Sequence, residues 1–351
     1  RARERVAAGR GRMTDRVQTA ACQAAGAEPC PPAPHPSTEH SQEERSPTGH
    51  SQEGHSSADL QTTSPGPSDP APPDGRPWAE RLEALRYVAG PELCTMVELA
   101  LALERPLLLE GPAGSGKTSL ARALADALGR ELVRLQCFEG MDASHALYDW
   151  NYHKQLAELT RRSDADVFSE PYLLPRPLMR ALQSEAGAVL LIDEVDRADE
   201  AFEALLLEFL AEYQITVPEW GTVRALLPPV VVLTSNRTRP LGDALRRRCL
   251  YCHVDWPELQ EELRIVSLHV PDLPATRAEP LVRAVRTLRT WGLMKPPGVA
   301  ETIDWARAFA RSPGAEWSEA WAGRTLGCVV KDAYDLETVR RRLSDLVSGS
   351  T

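Results

Sequence analysis

No apolar run in the 351 residues approaches the roughly eighteen needed to span a bilayer, because Glu104-Arg105 interrupts the best candidate ahead of 106–109. No membrane segment is read. An excess of positive charge is missing too. The formal net charge is -10, which argues against a broad nucleic-acid surface, since neutralising phosphates takes clustered Lys and Arg. Cysteine is scarce and unpatterned: seven are scattered without a framework, an odd number in a chain able to build an ordinary core, and a reduced cytoplasmic setting fits them best. Cys249 and Cys252 form a C-x-x-C, but no second ligand pair stands at useful spacing, so core packing on an apolar strand is preferred to metal or redox chemistry.

Large apolar residues are nearly absent from 1–77. That stretch holds Val6, Met13, Val17 and Leu60 against 12 of the chain's 29 prolines, too few to offset the entropy of ordering, and it reads as a disordered tail. Within it His40-Ser41-Gln42-Glu43 recurs as His50-Ser51-Gln52-Glu53, which reads as low-complexity drift rather than a metal site. The chain opens on Arg1 with Met13 as a candidate start, and its Arg- and Ala-rich opening bears a weak likeness to a transit peptide.

What is present begins near Trp78. Glu80 to Val88 and Glu92 to Leu103 have helical periodicity. They precede the apolar strand Leu107-Leu108-Leu109 and the run Gly111-Pro112-Ala113-Gly114-Ser115-Gly116-Lys117-Thr118. Glycines let the backbone turn successive N–H groups inward on phosphate oxygens. Lys117 then places a compact charge near the β and γ phosphates, and the Thr118 hydroxyl is available to Mg²⁺. Leu120, Leu124 and Leu128 continue as a helix stopped by Gly129, so the phosphates would meet a helix N-terminus. Tyr87-Val88-Ala89-Gly90 lies where an adenine could be gripped, with ordinary packing as the alternative.

The second strong signal is Ala188-Val189-Leu190-Leu191-Ile192-Asp193-Glu194. A wholly apolar strand is buried on both faces, as in a parallel sheet, and acids at its C-terminal end emerge beside the phosphate loop. Asp193 is the candidate Mg²⁺ ligand and Glu194 the candidate general base. Pro228 to Thr234 is a further buried strand, and Asn236 beyond it could orient the attacking water or sense the γ phosphate. Arg246-Arg247-Arg248 at a helix end could reach a neighbouring subunit's phosphate; a solvated basic helix end is the alternative. Tyr148-Asp149-Trp150-Asn151-Tyr152-His153 reads equally as a partner-contacting insert or as packing at the sheet edge. Gln214 to Val217 and Thr222 to Leu226 read as a hairpin, with Trp220 at its tip either exposed to a substrate protein or packed on its neighbours. From Asp255 onward four helices are expected, at 257–270, 276–291, 298–311 and 334–347, with Trp291, Trp305, Trp317 and Trp321 packing their core.

Together the phosphate loop, the Asp193-Glu194 strand, Asn236, the arginines and the helical C-terminus resemble the AAA+ ATPases. Asp193-Glu194-Val195-Asp196-Arg197-Ala198 and the hairpin before Asn236 look like the MoxR branch. The 148–153 insert and Thr234-Ser235-Asn236 look most like its carbon monoxide dehydrogenase maturation members. The resemblance covers 80–351. It implies a three-layer αβα domain over 78–255 with a parallel sheet ordered 5-1-4-3-2, a helical lid over 256–351, and a ring, usually hexameric, binding ATP and Mg²⁺ at subunit interfaces. It implies roles for Lys117, Thr118, Asp193, Glu194, Asn236 as sensor 1, and Arg248, then Arg247, as arginine finger. Such relatives act as chaperones on client proteins, a molybdenum hydroxylase being one such metalloenzyme, often with a von Willebrand A-domain partner. One departure stands out: where many relatives carry a sensor 2 arginine, Gly298-Val299-Ala300-Glu301-Thr302-Ile303-Asp304-Trp305 has none before Arg307. Two other classes remain open, a nucleic-acid-coupled motor of restriction type and a nucleotide-gated binding switch with little turnover.

Overall fold

Pro91 opens a helix at its first position, where a missing N–H costs nothing, and with the helix before it frames the entry to the sheet. These are α1 (Trp78–Ala84) and α2 (Pro91–Ala102). α1 stops short of the 80–88 span because Arg86 takes φ +63, a left-handed conformation that ends a helix. The computed structural model describes residues 75–349 except 219 and 313, all within the compact unit Pro65–Thr351. The tail's disorder, its histidine repeat and the candidate start Met13 concern positions outside the described residues.

Strand and helix then alternate through β1 (Leu107–Glu110), α3 (Lys117–Leu128), β2 (Glu131–Gln136), α4 (Ala143–Ala146), β3 (Tyr148–Trp150), α5 (Tyr152–Arg161), β4 (Leu173–Pro175) and α6 (Pro177–Gln183). They continue through β5 (Ala188–Asp193), α7 (Glu200–Glu212), β6 (Gln214–Val217), β7 (Gly221–Arg224), β8 (Val230–Ser235), α8 (Asp243–Arg248) and β9 (Leu250–His253). Five strands form one parallel sheet in the order β2-β5-β8-β1-β9. β1 and β5 bury every residue, as strands covered on both faces do. Alternation along β5 divides two cores: Leu190 and Ile192 pack with Leu178, Phe202 and Leu245 of α6, α7 and α8, while Val189 and Leu191 pack with Leu82, Val97 and Leu120 of α1, α2 and α3. The result is three layers, helices on both faces of the sheet, with the strand order reversing at β1, where a ligand crevice is expected.

Two antiparallel strand pairs stand outside the sheet. β3 pairs antiparallel with β4, turning Trp150 into the core against the edge of Phe168 at 5.4 Å, while Tyr152 is 65% exposed. Within 148–153, Trp150 thus packs as the second reading expects, while Tyr152 stays exposed. β6 pairs with β7, and Trp220 at their turn is half-buried and packed on the core rather than standing free.

Beyond β9 the chain is helical: α9 (Leu259–His269), α10 (Ala275–Thr290), α11 (Val299–Ala310), α12 (Glu319–Thr325), α13 (Ala333–Arg341) and α14 (Leu343–Ser348). No helix among the described residues is long and apolar enough to cross a membrane. Trp305 and Trp321 stack at 5.9 Å in a separate core, with Trp317 and Phe309 against them. The helix expected over 334–347 is two, parted at Arg342 (φ -117), whose guanidinium lies over the Trp291 ring at 3.9 Å. α12, seven residues capped by Ser318, was not foreseen.

One buried ion pair aims this bundle at the sheet. Arg289 grips Glu262 with both terminal nitrogens, at 2.8 and 2.7 Å, and donates Nε to the Pro297 carbonyl at 2.8 Å. Thr302 completes the carboxylate from the next helix at 2.7 Å. The Pro297 turn is thereby fixed, and α11 starts against the loop after β1, with Val299 N–H donating to the Gly114 carbonyl at 2.9 Å. Glu262→Ala strands a buried guanidinium and is expected to cost about 3–5 kcal/mol, read from urea unfolding; a loss near that of an exposed pair contradicts this account.

Candidate functional site

The loop between β1 and α3 requires glycine for lack of space. A Cβ on Gly111 would lie 2.0 Å from the Val254 carbonyl oxygen, and one on Gly114, at φ +77, would lie 2.7 Å from the Gly298 Cα. Lys117 is buried at the start of α3, its Nζ donating to the carbonyls of Gly111 at 2.9 Å and Pro112 at 2.7 Å. Burial pushes its ammonium below the usual lysine range, while Asp196, Asp193 and Glu194 pull it back up. The cation thus sits inside the cradle that the loop's backbone forms at a helix N-terminus.

Strand register delivers the acids to that cradle. β8 lies between β5 and β1 in the sheet, so Asp193, the last residue of β5, emerges at the same sheet end as the loop. Its Oδ1 accepts from the Thr118 hydroxyl at 3.0 Å and the Thr234 hydroxyl at 2.5 Å; its Oδ2 accepts from Arg134 Nη2 at 2.5 Å and Nε at 3.1 Å. Glu194 follows with φ +55, a conformation uncommon outside glycine and of the kind that clusters at functional sites. Its N–H donates to Thr234 Oγ1 at 3.0 Å, and its Oε2 meets Gln136 Nε2 at 3.1 Å and Arg197 Nε at 2.8 Å.

Asp196, 2% exposed, anchors the loop after β8. It accepts from the Asn236 amide at 3.2 Å, the Thr238 amide at 2.8 Å and the Thr238 hydroxyl at 2.6 Å. Burial disfavours its charge, but these hydrogen bonds outweigh that and hold the carboxyl below the usual carboxylate range. Asn236, like Glu194, lines the cavity.

The cavity measures about 760 Å³, within the range of small-molecule sites. The loop, Asp193, Glu194, Thr234 and Asn236 line it together with Tyr87, Val88, Gly90, Trp256, Ile265 and Ile303. With a lysine-bearing backbone cradle, acidic groups and apolar and aromatic side chains all in its lining, it suits a nucleoside polyphosphate with its metal ion. The Thr118 hydroxyl and Asp193 carboxylate, hard oxygen donors 3.0 Å apart, fit Mg²⁺.

Arg248 ends α8 outside this cavity. Arg105 holds the carbonyls of Arg248 and Arg247 at 3.2 and 2.7 Å, and among the described residues neither arginine has a carboxylate partner. Arg246 is engaged at home, 3.9 Å from the buried Glu110 and over the Tyr251 ring. Cys249 and Cys252 are buried free thiols, pushed up by burial to about 12 and about 11, which suits packing rather than chemistry. Sequence reasoning missed Arg134, Gln136, Thr234 and Arg197. The signal was present for two: Arg134 and Gln136 alternate with buried Val133 and Leu135 on β2, so both face the same side, but which strand they neighbour is not a local property.

Residues 106–249 match the AAA domain family, in its dynein-related subfamily. Among curated proteins the chain is similar to the uncharacterised protein YeaC of Bacillus subtilis strain 168, 28% identical over 204 residues, covering 56% of this chain and 58% of that protein. It is similar to the gas vesicle ATPase GvpN1 of Halobacterium salinarum, 29% identical over 210 residues, covering 55% of this chain and 59% of that one. An uncharacterised protein of Staphylococcus aureus, SAB1265c, is 30% identical over 162 residues, covering 44% and 57%. The chain thus spans less than two thirds of the length of these relatives.

Because Asp196 is depressed in the folded state, its contribution is complete above the unfolded carboxylate value and is lost as pH falls through the folded one. Asp196→Asn is expected to cost about 1–3 kcal/mol at pH 7 by denaturant unfolding. The gap to wild type should close as pH drops below about 4; a gap independent of pH contradicts the assignment.

Proposed function

We propose that the protein is a Mg²⁺-dependent ATPase of the AAA+ type, cleaving the β–γ bond of ATP. The observation carrying this reading is the meeting of Thr118, Asp193 and Glu194 beside the glycine-rich cradle. The AAA match over 106–249 and the likeness to a protein named an ATPase support it.

The chain's own groups divide the work. Main-chain amides of 111–118 and the Lys117 ammonium bind the polyphosphate and leave its terminal phosphoryl facing the acids. Held at Thr118 and Asp193, Mg²⁺ would neutralise phosphate oxygens. Glu194 accepts the proton of the attacking water, and Asn236, on a loop pinned by Asp196, orients that water. Arg248, with Arg247 as the alternative, is offered to the site of a neighbouring copy, where a planar guanidinium suits spread phosphate charge. This requires a homo-oligomer, for which a hexameric ring is the proposed form. Residues 78–255 are the ATPase domain and 256–351 a lid whose α11 rides on the loop through Gly114.

By resemblance to the MoxR branch and its carbon monoxide dehydrogenase maturation members, the proposed role is that of a cytoplasmic chaperone. It remodels a client protein, a metalloenzyme being the proposed class, alongside a von Willebrand A-domain partner. Glu194→Gln is expected to keep ATP binding and lower turnover by about 10²–10⁴-fold. Mixing Arg248→Ala with Lys117→Ala subunits should restore part of the activity. The stalled Glu194→Gln protein should also retain its client. Wild type that binds no ATP, or Glu194→Gln with normal turnover, overturns the reading.

A further inference from the structure

Arg134 has no place in the mechanism above, yet it makes the shortest ionic contact in the site. It stands on β2, at the edge of the sheet, and its guanidinium takes Asp193 Oδ2 by two N–H groups, at 2.5 and 3.1 Å. Among the described residues it is the one cation within ion-pair distance of Asp193. The partners are unequal: the Asp193 side chain is 5% exposed and that of Arg134 52%. Asp193 is also crowded by charge of its own sign, with Glu194 adjacent and the buried Asp196 three residues on. A buried carboxylate in such company needs a counter-ion.

The contact saturates the carboxylate. An ionised carboxyl offers about four acceptor positions; two are taken by the Thr118 and Thr234 hydroxyls and two by Arg134. A divalent cation on Asp193 therefore competes for a filled oxygen, and it repels the guanidinium already there. Thr234 is buried and cannot retreat, and Thr118 belongs to the same donor set as Asp193. Arg134 is the charged partner with solvent to move into. Its guanidinium also donates to Gln136 Oε1, whose amide nitrogen meets Glu194 at 3.1 Å, so its departure would be felt at both acids.

We propose that Arg134 is the resident counter-ion of Asp193 and that a divalent cation displaces it, so that the residue sets the cation affinity of the site. The inference rests on the ATPase reading, through Asp193 as metal ligand. It is tested on the full chain with Mn²⁺ as probe, titrated by electron paramagnetic resonance with a non-hydrolysable ATP analogue and again without nucleotide. Arg134→Gln is expected to bind Mn²⁺ about 3- to 10-fold more tightly than wild type, the scale of losing one competing ion pair. Arg134→Lys should fall between the two. Arg180→Gln, which removes the same charge from an exposed pair with Glu131, should match wild type and so controls for net charge. Thermal unfolding supplies an independent readout: Arg134→Gln should melt lower than wild type in EDTA and equal to it with saturating Mg²⁺ and analogue. Unchanged or weaker Mn²⁺ affinity, or a melting deficit of equal size in both conditions, overturns the proposal. If wild type binds no nucleotide, the ATPase reading fails by itself, while the nucleotide-free Mn²⁺ titration still decides the role of Arg134.

Discussion

The 3.0 Å hydrogen bond from the Thr118 hydroxyl to Asp193 is the contact on which the rest of the structure depends. It joins the first turn of α3 to the last residue of β5, and it forms only if β5 lies near β1 and points the same way. The parallel sheet meets that demand: β8 fills the space between them and adds the Thr234 hydroxyl to the same carboxylate. Helices on both faces follow, because strands as apolar as β1 and β5 cannot leave either face in water.

Charge balance explains much of the remaining polar architecture. Asp193, Glu194 and Asp196 stand within four residues, and two of them are buried. Different partners stabilise each: the Arg134 cation for Asp193, the Arg197 cation and the Gln136 amide for Glu194, and hydrogen bonds from amides and a hydroxyl for Asp196. The last set ties the loop carrying Asn236 to the strand end carrying the acids, so the polar lining of the cavity is held as one piece. Lys117 is buried in the same field, its charge kept by the loop carbonyls and by those acids. The helical bundle contributes Ile265 and Ile303 to the lining of the same cavity. The bundle's position is fixed by the Arg289–Glu262 pair, by Arg264 on Glu83 of α1, and by main-chain contact of Gly298 and Val299 with Gly114.

The parts legible in the sequence were those whose meaning is local. Glycines at 111, 114 and 116 followed by Lys117 and Thr118 state a phosphate cradle within eight residues, and Ala188 to Glu194 states a buried strand ending in acids. Arg134 and Gln136 looked like the solvent side of an ordinary strand, since their importance comes from β2 lying against β5 with Gln136 opposite Asp193. Thr234 looked like the end of a β-branched run, although its hydroxyl serves both Asp193 and the Glu194 amide. Helix ends failed for a similar reason. The break at Arg342 accompanies a contact with Trp291, fifty-one residues earlier by subtraction of the two numbers, which no pattern over 334–347 contains.

The central claim is that main-chain amides of the loop receive a polyphosphate at the end of the sheet where Asp193 and Glu194 emerge. Hydrogen–deuterium exchange of the full chain with and without Mg²⁺ and a non-hydrolysable ATP analogue tests it most directly. The account predicts that nucleotide slows exchange at the amides of 113–118, with a second, smaller effect at 299–300 where α11 meets the loop. Binding of the analogue with exchange at 113–118 unchanged would contradict it.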